Sequence, residues 1–458
     1  MSADSFQGGD SPFSLDGTKK EGARTRQDFQ KLKTKIHHIV VDRIDLDALQ
    51  RMDPDASLRE VSRVVEEVIT EQRVPLNRVE HRQLVQEIQH EMFGLGPLEP
   101  LLRDPSVNDI LVNGPKQIYV ERSGKLELTN ISFYDEQHLR HVVTRIVGMV
   151  GRRIDESSPM VDARLKDGSR VNAIIPPLAI DGSSVSIRKF RNIPLREQDL
   201  VDFGSITKEA LEILKIAIRG RLNVIVSGGT GTGKTTMLNL LSSFIPDDER
   251  IITVEDTAEL RMRQPHVVRL ETRPPNVEGK GEIDQRALVK NALRMRPDRI
   301  IVGEVRGGET LDMLQALNTG HDGSMATIHA NTARDAISRL ETLVQFAGTS
   351  LPSSSIMKQI ASAIHIILQL RRYKDGVRRV DSITEITGME GDIITMQEIF
   401  RFKPTGQDAE GKIKGQFIFS TVRPKFFEMV ADRGLSINLP TAQSDDQKHW
   451  KNLGNRAA

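Results

Sequence analysis

The stretch that decides the fold of this chain is Gly228, Gly229, Thr230, Gly231, Thr232, Gly233, Lys234, Thr235 and Thr236. It contains the complete string G-x4-G-K-[ST]. A short run at residues 222–227, rich in β-branched side chains, precedes it, and residues 235–244 carry apolar side chains at helical spacing. The string therefore lies between a predicted strand and a predicted helix, which is the context of a Walker A phosphate-binding loop, or P-loop.

Each residue type in this loop has a physical reason to hold phosphate. Glycines allow positive φ and let backbone N–H groups turn inward around phosphate oxygens, and the following helix presents its positive N-terminal end. Lys234 is predicted to place a mobile charge at the β- and γ-phosphates, and Thr235 a hydroxyl ligand on Mg²⁺. A glycine-rich turn with a chance lysine is the alternative, but the strand and helix on either side favour ATP binding by all nine residues.

Composition limits the classes of protein to which the chain can belong. At 458 residues it is too long for one ordinary core, so we expect two or three domains. The 64 Lys and Arg residues against 63 Asp and Glu give a net charge of +1, so charge does not favour a nucleic-acid partner. The lack of cysteine excludes disulfides, Cys-ligated zinc and thiol catalysis.

The pattern of apolar residues predicts no membrane span. The first 24 residues are rich in Ser, Asp and Gly without an apolar core of a signal peptide, and no window approaches 18 consecutive apolar residues. We therefore expect a soluble protein that can associate with a membrane only through a partner.

Changes in residue pattern divide the chain into five predicted segments. Residues 1–26 and 439–458 have the composition of solvated, disordered tails. Residues 27–93 show three-four apolar spacing, which predicts a small helical module. Strand-like runs punctuated by glycine turns predict an α+β domain at residues 94–195. Residues 196–438 are predicted to form an α/β, RecA-like P-loop ATPase domain with C-terminal elements.

Local periodicity also predicts individual elements of the N-terminal half. In the helical module it predicts helices at residues 28–50, 57–72 and 78–92. In the α+β domain it predicts a helix at residues 136–150 between short strands.

Two predicted strands after the P-loop end in carboxylates. Open α/β sheets collect their ligand-binding groups at the carboxyl ends of the strands. Glu304 ends one strand in the manner of a Walker B acid, although Gly303 stands where many P-loop enzymes have Asp. Glu255 and Asp256 end another strand. A lone strand-end acid is often only a solvated charge, but two of them beside a P-loop suit the orientation of water and the holding of a metal ion.

Four sequence boxes occur together in one order. They are the P-loop, residues 252–260 (ITVEDTAEL), residues 296–309 (RPDRIIVGEVRGGE) and residues 319–331 (TGHDGSMATIHAN). The combination resembles the type II and type IV secretion and pilus ATPases. Within that family the chain is most similar to the CpaF branch, the motors of tight-adherence (Tad) pili. This similarity rests on residues 94–101 (GLGPLEPL), 150–165 (VGRRIDESSPMVDARL) and 270–276 (LETRPPN).

The resemblance implies an assembly, a reaction and partners. It implies a cytoplasmic homohexameric ring that hydrolyses ATP with Mg²⁺ and is peripheral at the inner membrane through pilus platform proteins. Through them it would power assembly of the pilus, its retraction or both. Lys234 and Thr235 would hold ATP and Mg²⁺. Glu304 would polarise the attacking water, and Glu255 would assist through the metal or the water.

The resemblance also implies roles for histidines and arginines. His321 and His329 match the two histidines of the last box, which would sense or relay the nucleotide state, whereas buried structural histidines are the alternative. Arg170 and Arg188 match arginines that the N-terminal domain presents to the phosphates, and Arg164 is a third candidate. Permanently charged, planar guanidinium groups suit that task, although each could instead be a surface arginine of a strand.

Three other functions compete with a pilus motor. A conjugation-type secretion ATPase has the same chemistry with another cargo. A RecA-like nucleic-acid translocase is disfavoured by the balanced charge and by an aromatic content of 4%. An ATP-gated scaffold without hydrolysis is disfavoured by the two acids. A basic cluster at residues 371–374 and 378–379 fits either a surface for acidic loops of a platform protein or a solvated face.

Overall fold

A computed structural model describes residues 26–435, apart from residues 123, 166, 190–194, 276–279 and 349. The chain divides between residues 189 and 190 into two compact units. The predicted tails lie outside the described residues, except for Arg26, at which the first helix begins. Within the described ranges, no helix combines the length and the apolar character that a membrane crossing requires.

The first unit begins with helices that share one apolar core. Their bounds are α1 Arg26–Arg43, α2 Leu46–Arg51, α3 Pro54–Glu71 and α4 Arg78–Phe93. The prediction of one helix over residues 28–50 is wrong, because the chain breaks at Asp45, whose carboxylate accepts a hydrogen bond from the Ala48 N–H at 3.0 Å and caps α2. Asn77 and Glu80 form a capping box that starts α4. The core between these helices includes Val61, Val65, Leu84 and Ile88.

A six-stranded antiparallel sheet follows in the same unit. Its strands are β1 Val107–Asn113, β2 Gln117–Arg122, β3 Lys125–Leu128, β4 Met160–Arg164, β5 Arg170–Ile174 and β6 Ser184–Arg188, in the order β3-β2-β1-β6-β5-β4. A 3₁₀ turn at Gly96–Leu98 and the short α5 Glu99–Arg103 lead into it, and α6 Glu136–Gly148 lies between β3 and β4 in the chain. The apolar side of α6 packs into the core of this sheet. The predicted helix at residues 136–150 is confirmed, apart from its last two residues.

The second unit contains a nine-stranded sheet. Its strands are β7 Val224–Gly228, β8 Ile251–Glu255, β9 Val267–Glu271, β10 Arg299–Val302, β11 Met325–Ile328, β12 Ile366–Arg372, β13 Arg378–Glu390, β14 Ile393–Gln407 and β15 Ile413–Phe419. The order is β15-β14-β13-β12-β7-β11-β10-β8-β9. The six strands from β12 to β9 in this order run parallel, and the other three are antiparallel.

Helices cover both faces of this sheet. They are α7 Glu197–Asp202, α8 Lys208–Arg219, α9 Lys234–Ser242, α10 Gln285–Ala292, α11 Glu309–Asn318, α12 Ala333–Gln345, α13 Ser353–Ala363 and α14 Phe426–Asp432. One core contains side chains of α8, α9 and α14, and the other contains side chains of α10 to α13. All residues of β7, β8, β10 and β11 are buried, as expected for parallel strands covered on both faces. The predicted α/β fold with a RecA-like P-loop core is therefore confirmed.

A buried charge cluster joins helices α1, α4 and α6 of the first unit. Glu91, at the end of α4, pairs with Lys33 of α1 at 2.9 Å and with His138 of α6 at 2.9 Å. Arg145 of α6 donates hydrogen bonds to the backbone carbonyls of Glu91 and Gly94 at 2.6 and 2.7 Å. Burial alone would raise the pKa of Glu91, but the hydrogen bond with His138 and the charge of Lys33 outweigh it and lower the pKa to about 2.

We expect Glu91→Gln to destabilise the first unit by about 3 kcal/mol at neutral pH, because Lys33 then loses its buried counter-charge. The pKa of Glu91 is lower in the folded protein than its ordinary value of 4.5, so the stabilisation is present above pH 4.5 and is lost as the pH falls toward 2. Urea unfolding at neutral pH and near pH 3 measures both effects, with the exposed Glu67→Gln as control. An equal deficit of Glu91→Gln at both pH values would contradict the assignment.

Candidate functional site

The P-loop leaves the centre of the nine-stranded sheet. It follows β7, which is hydrogen-bonded to β12 on one side and β11 on the other, and it ends at Lys234, the first residue of α9. Gly231 and Gly233 have φ of 70° and 95°, a region that residues with a side chain rarely adopt. A Cβ on Gly228 would lie 2.5 Å from the Thr232 hydroxyl and 3.0 Å from the Leu370 carbonyl oxygen. The loop can therefore close only with glycine at these positions.

Lys234 extends back along the loop. Its Nζ donates hydrogen bonds to the carbonyl oxygens of Gly228 and Gly229, both at 3.0 Å. Burial lowers the pKa of Lys234, although the nearby Glu304 carboxylate opposes the shift. A half-buried ammonium group whose hydrogen-bond acceptors among the described residues are carbonyl oxygens gains stabilisation from any anion that enters the loop.

Glu255 is a buried carboxylate at the carboxyl end of β8. It is 2% exposed, and its Oε2 accepts hydrogen bonds from the N–H groups of Glu259 and Leu260 at 2.7 and 2.9 Å. Its Oε1 is buried without a hydrogen-bond partner within the described part of the chain. Burial raises the pKa of Glu255, and the two N–H donors oppose that shift.

Gly303 explains how Glu255 can occupy this position. A Cβ on Gly303 would lie 2.9 Å from Cγ of Glu255, so any side chain here would displace the carboxylate. Residue 303 lies one position before Glu304, where many P-loop enzymes carry Asp. The acid at this edge of the sheet is thus contributed by the neighbouring strand β8 and takes the space that a side chain on residue 303 would fill.

Glu304 follows β10 at the same edge and is engaged by an arginine. Its Oε2 accepts hydrogen bonds from Nε and Nη2 of Arg306 at 3.0 and 2.5 Å. Arg306 also reaches Oδ2 of Asp256 at 3.3 Å. The loop that carries Arg306 is fixed by Glu309, which accepts hydrogen bonds from the backbone N–H groups of residues 306 and 307. Carboxylates from two strand ends and one guanidinium group therefore converge beside the P-loop.

The residues present fit a magnesium ion that is shared with phosphate. Within the described residues, no group of three or more His, Cys, Asp or Glu side chains could hold a metal ion alone. Mg²⁺ in nucleotide sites usually keeps one or two protein ligands, with phosphate oxygens and waters as the others. Among the described residues, Thr235 in the first turn of α9 and the Oε1 of Glu255 suit such an ion.

The two predicted histidines lie at opposite edges of the sheet. His329 directly follows β11, whose Ile328 pairs with Ser227, so it lies beside the P-loop and is exposed. His321 precedes β11, and its Nδ1 lies 3.3 Å from the Ala316 carbonyl oxygen at the end of α11. The structure therefore brings His329 to the phosphate-binding edge and does not bring His321 there.

The three candidate arginines form one row on the sheet of the first unit. Arg164 pairs with Arg170 across β4 and β5, and Arg170 pairs with Arg188 across β5 and β6. Directly opposed residues of antiparallel strands share a face, so the three cations are side by side. Asp109 of β1 lies next in the row and accepts a hydrogen bond from Arg188 Nε at 3.1 Å.

Sequence reasoning missed three arginines of the second unit at this site. Arg306 contacts Glu304, as described above. Arg378 Nε donates a hydrogen bond to the Gly231 carbonyl oxygen at 2.8 Å, and Arg372 Nη1 lies 4.0 Å from the point where a Cβ on Gly231 would be. The position of Arg306, two residues after a strand-end acid, was a usable signal. Nothing in the local pattern connects Arg378 with a loop 147 residues away.

Comparison with known proteins matches the sequence of this chain to one family. A family model described as type II/IV secretion system protein matches residues 91–412. A putative conjugal transfer protein of Mycobacterium tuberculosis is 40% identical over 312 residues, which are 67% of this chain and 88% of that protein. The conjugal transfer protein TrbB of Rhizobium radiobacter is 34% identical over 67% of this chain and 92% of its own length.

A solved structure also matches. The VirB11 ATPase of the Brucella suis type IV secretion system, in complex with sulphate, is 28% identical over 63% of this chain and 95% of that chain, with a TM-score of 0.34.

Proposed function

The chain belongs to the type II/IV secretion system protein family, and we propose that it is an ATP-hydrolysing motor that powers assembly of a Tad pilus. The observation that carries this proposal is the convergence of the P-loop with the carboxylates of Glu255 and Glu304 at one edge of a parallel sheet. Phosphate binding, metal holding and water orientation need these groups close together.

The P-loop residues 228–236 bind the phosphates of ATP in this proposal. The N–H groups at the start of α9 and of the loop face the phosphate oxygens, and Lys234 exchanges its carbonyl partners for the β- and γ-phosphates. This exchange is favourable because a half-buried ammonium group is better stabilised by phosphate oxygens than by carbonyl groups.

The two acids divide the remaining work. Thr235 and Glu255 would hold Mg²⁺, Glu255 directly or through a water, and the ion would supply positive charge to the transferring phosphoryl group. Glu304 orients and polarises the attacking water. In the structure Glu304 is paired with Arg306, so Arg306 must release it before water can occupy that position.

The cargo is inferred from sequence strings of the chain. Residues 94–101, 150–165 and 270–276 resemble the CpaF branch, which supports a Tad pilus motor that acts on an inner-membrane platform protein. Conjugation-type secretion is the second candidate, because two relatives are named conjugal transfer proteins. Deletion of the gene in its native host separates the two, since loss of pili with normal plasmid transfer supports the first and the reverse supports the second.

The proposal also includes the environment of the motor. It acts as a homohexamer in the cytoplasm, peripheral to the inner membrane through its platform partner. His329 beside the P-loop senses the γ-phosphate, and His321 relays that state at the other end of β11.

We expect Lys234→Ala to lose ATP binding, and Glu304→Gln to bind ATP but turn over at least a hundredfold more slowly, because the first group holds phosphate and the second orients water. Fluorescent-nucleotide titration and steady-state phosphate release in Mg²⁺ measure the two steps. Lys208→Ala, on the exposed start of α8, is the control for an unrelated loss of charge. Full turnover by Glu304→Gln would remove Glu304 from its role.

We expect Arg170→Ala and Arg188→Ala each to lower kcat by about a hundredfold with a smaller effect on nucleotide Kd, since loss of one transition-state contact costs about 3 kcal/mol. Arg153→Ala, which removes an exposed arginine paired with Asp155 in the same unit, should leave kcat unchanged. Wild-type kcat in both row variants, with thermal melts that show folded protein, would exclude these arginines from hydrolysis.

We expect a non-hydrolysable ATP analogue to shift the chain toward a hexamer, because a ligand that binds the assembled form more tightly stabilises that form. Native mass spectrometry with and without the analogue measures the distribution. Lys234→Ala should not respond to the analogue. A strict monomer at micromolar concentration in both conditions would contradict a ring.

A further inference from the structure

We propose that Arg372 and Arg378, named here the hairpin arginines, are part of the nucleotide site: Arg378 positions the P-loop, and both supply positive charge to a nucleoside di- or triphosphate. This inference rests on the proposed function and assigns the nucleotide site two residues from outside the four sequence boxes. The two arginines flank the turn between β12 and β13, since Arg372 is the last residue of β12 and Arg378 is the first residue of β13.

The register of the sheet brings this hairpin to the P-loop. Strand β12 runs parallel to β7, with Leu370 paired with Gly228, so the next residues of β12 extend beside the loop that follows Gly228. Leu370 points into the core that contains α9, and Arg372 is two residues further on, on the same face. Arg378 pairs directly with Arg372 and therefore shares that face. Both side chains are thus directed to the side of the sheet on which the P-loop and α9 lie.

Contacts to the loop are made at its positive-φ glycines. Arg378 Nε donates a hydrogen bond to the Gly231 carbonyl oxygen at 2.8 Å, and its Cδ lies 3.6 Å from the point where a Cβ on Gly233 would be. Arg372 Nη1 lies 4.0 Å from the corresponding point on Gly231. The two cations therefore lie against the outside of the loop at Gly231 and Gly233.

The hydrogen bond from Arg378 fixes one peptide plane of the loop. In a planar trans peptide the carbonyl oxygen and the N–H of the next residue point in opposite directions. Because Arg378 holds the Gly231 carbonyl outward, the Thr232 N–H is directed to the other side, where a P-loop binds phosphate. Arg378 is thus a positioning residue for a backbone donor, and its charge adds to that of the loop.

The hairpin is rigid enough to hold these charges in place before nucleotide binds. Asp375, in the turn, accepts hydrogen bonds from Arg379 at 2.9 Å and from the Ile413 N–H at 2.9 Å. The Tyr373 hydroxyl donates a hydrogen bond to Asp381 at 2.6 Å, and the Arg379 guanidinium group lies over the Tyr373 ring at 5.3 Å. Fixed cations cost little reorganisation when an anion arrives, so they contribute to affinity.

The hairpin arginines favour ligands that place a chain of phosphates in the P-loop. ADP and ATP carry a β-phosphate for the P-loop and its lysine, whereas AMP has none. Exposed cations act on phosphate through a field that salt screens, over about 10 Å at 0.1 M ionic strength. The affinity for ADP and ATP should therefore depend on the hairpin arginines and on salt, and the affinity for AMP should not.

The test compares nucleotide binding by the full chain with single substitutions in the hairpin. We expect Arg378→Ala to weaken ADP about tenfold and Arg372→Ala about threefold, both with a smaller salt dependence of Kd than wild type. Arg378→Lys should recover part of the salt dependence but not the full affinity, because lysine keeps the charge and loses the planar Nε donor. Fluorescent ADP titrations at about 0.05 and 0.5 M salt, with AMP competition, measure these effects.

Arg371→Ala is the matched control. It removes the neighbouring arginine of the same strand, which lies on the opposite face 3.7 Å from Asp381, and it should change the Kd of ADP by less than about twofold. Hairpin variants with wild-type Kd for ADP, whether or not they melt at lower temperature, would overturn the inference and leave the proposed function intact, provided that Lys234→Ala still abolishes binding. Retained ADP binding by Lys234→Ala would instead contradict the proposed function itself.

Discussion

The structure of the second unit depends on one constraint, the parallel hydrogen bonding of β7 between β11 and β12. Parallel strands place all their carboxyl ends at one edge of a sheet, so the residues that follow β7, β8, β10 and β11 must meet there. The P-loop, Glu255, Glu304 and His329 are the residues that this constraint brings together. The same register on the other side of β7 brings the hairpin arginines to the loop.

The exchange between Gly303 and Glu255 shows how packing sets the chemistry of this edge. Strands β8 and β10 are adjacent, and the stem of Glu255 fills the space beside residue 303. An acid on β10 at this position and an acid at the end of β8 cannot both fit. Gly303 therefore does not weaken the site. It makes room for the Glu255 carboxylate, which is buried and accepts hydrogen bonds from two backbone N–H groups.

Local sequence patterns predicted the parts of the site that lie at strand ends. The P-loop, Glu255 and Glu304 were predictable because each directly follows an apolar run, and the strand period fixes where such a run ends. The histidine box was harder to interpret, because seven residues separate its two histidines and four of these form β11, about 13 Å of strand. The two histidines belong to one sequence box, but they lie at opposite ends of β11.

Long-range register and side-chain capping were not predictable from the same patterns. Arg378 reaches the P-loop only because β12 pairs with β7, and no property of residues 371–379 specifies that partner. The break between α1 and α2 depends on one hydrogen bond from Ala48 to Asp45 within an otherwise helical pattern. In both cases the deciding contact contributes little free energy and depends on a specific geometry. The average spacing and composition of the residues therefore do not predict it.

The charged groups of the site are paired with groups of the protein itself, and these pairs limit how the site can respond to phosphate. Lys234 is held by carbonyl oxygens, Glu304 by Arg306, and the Gly231 carbonyl by Arg378. The Arg306 side chain is 59% exposed, so its pair with Glu304 contributes no more than about 1 kcal/mol. Charge-assisted hydrogen bonds from Arg306 to a triphosphate stabilise by more than this pair does, so a triphosphate can attract Arg306 away from Glu304. On the proposed function, binding of ATP thereby frees Glu304 from Arg306. Glu304 can then orient the attacking water, so hydrolysis depends on bound ATP.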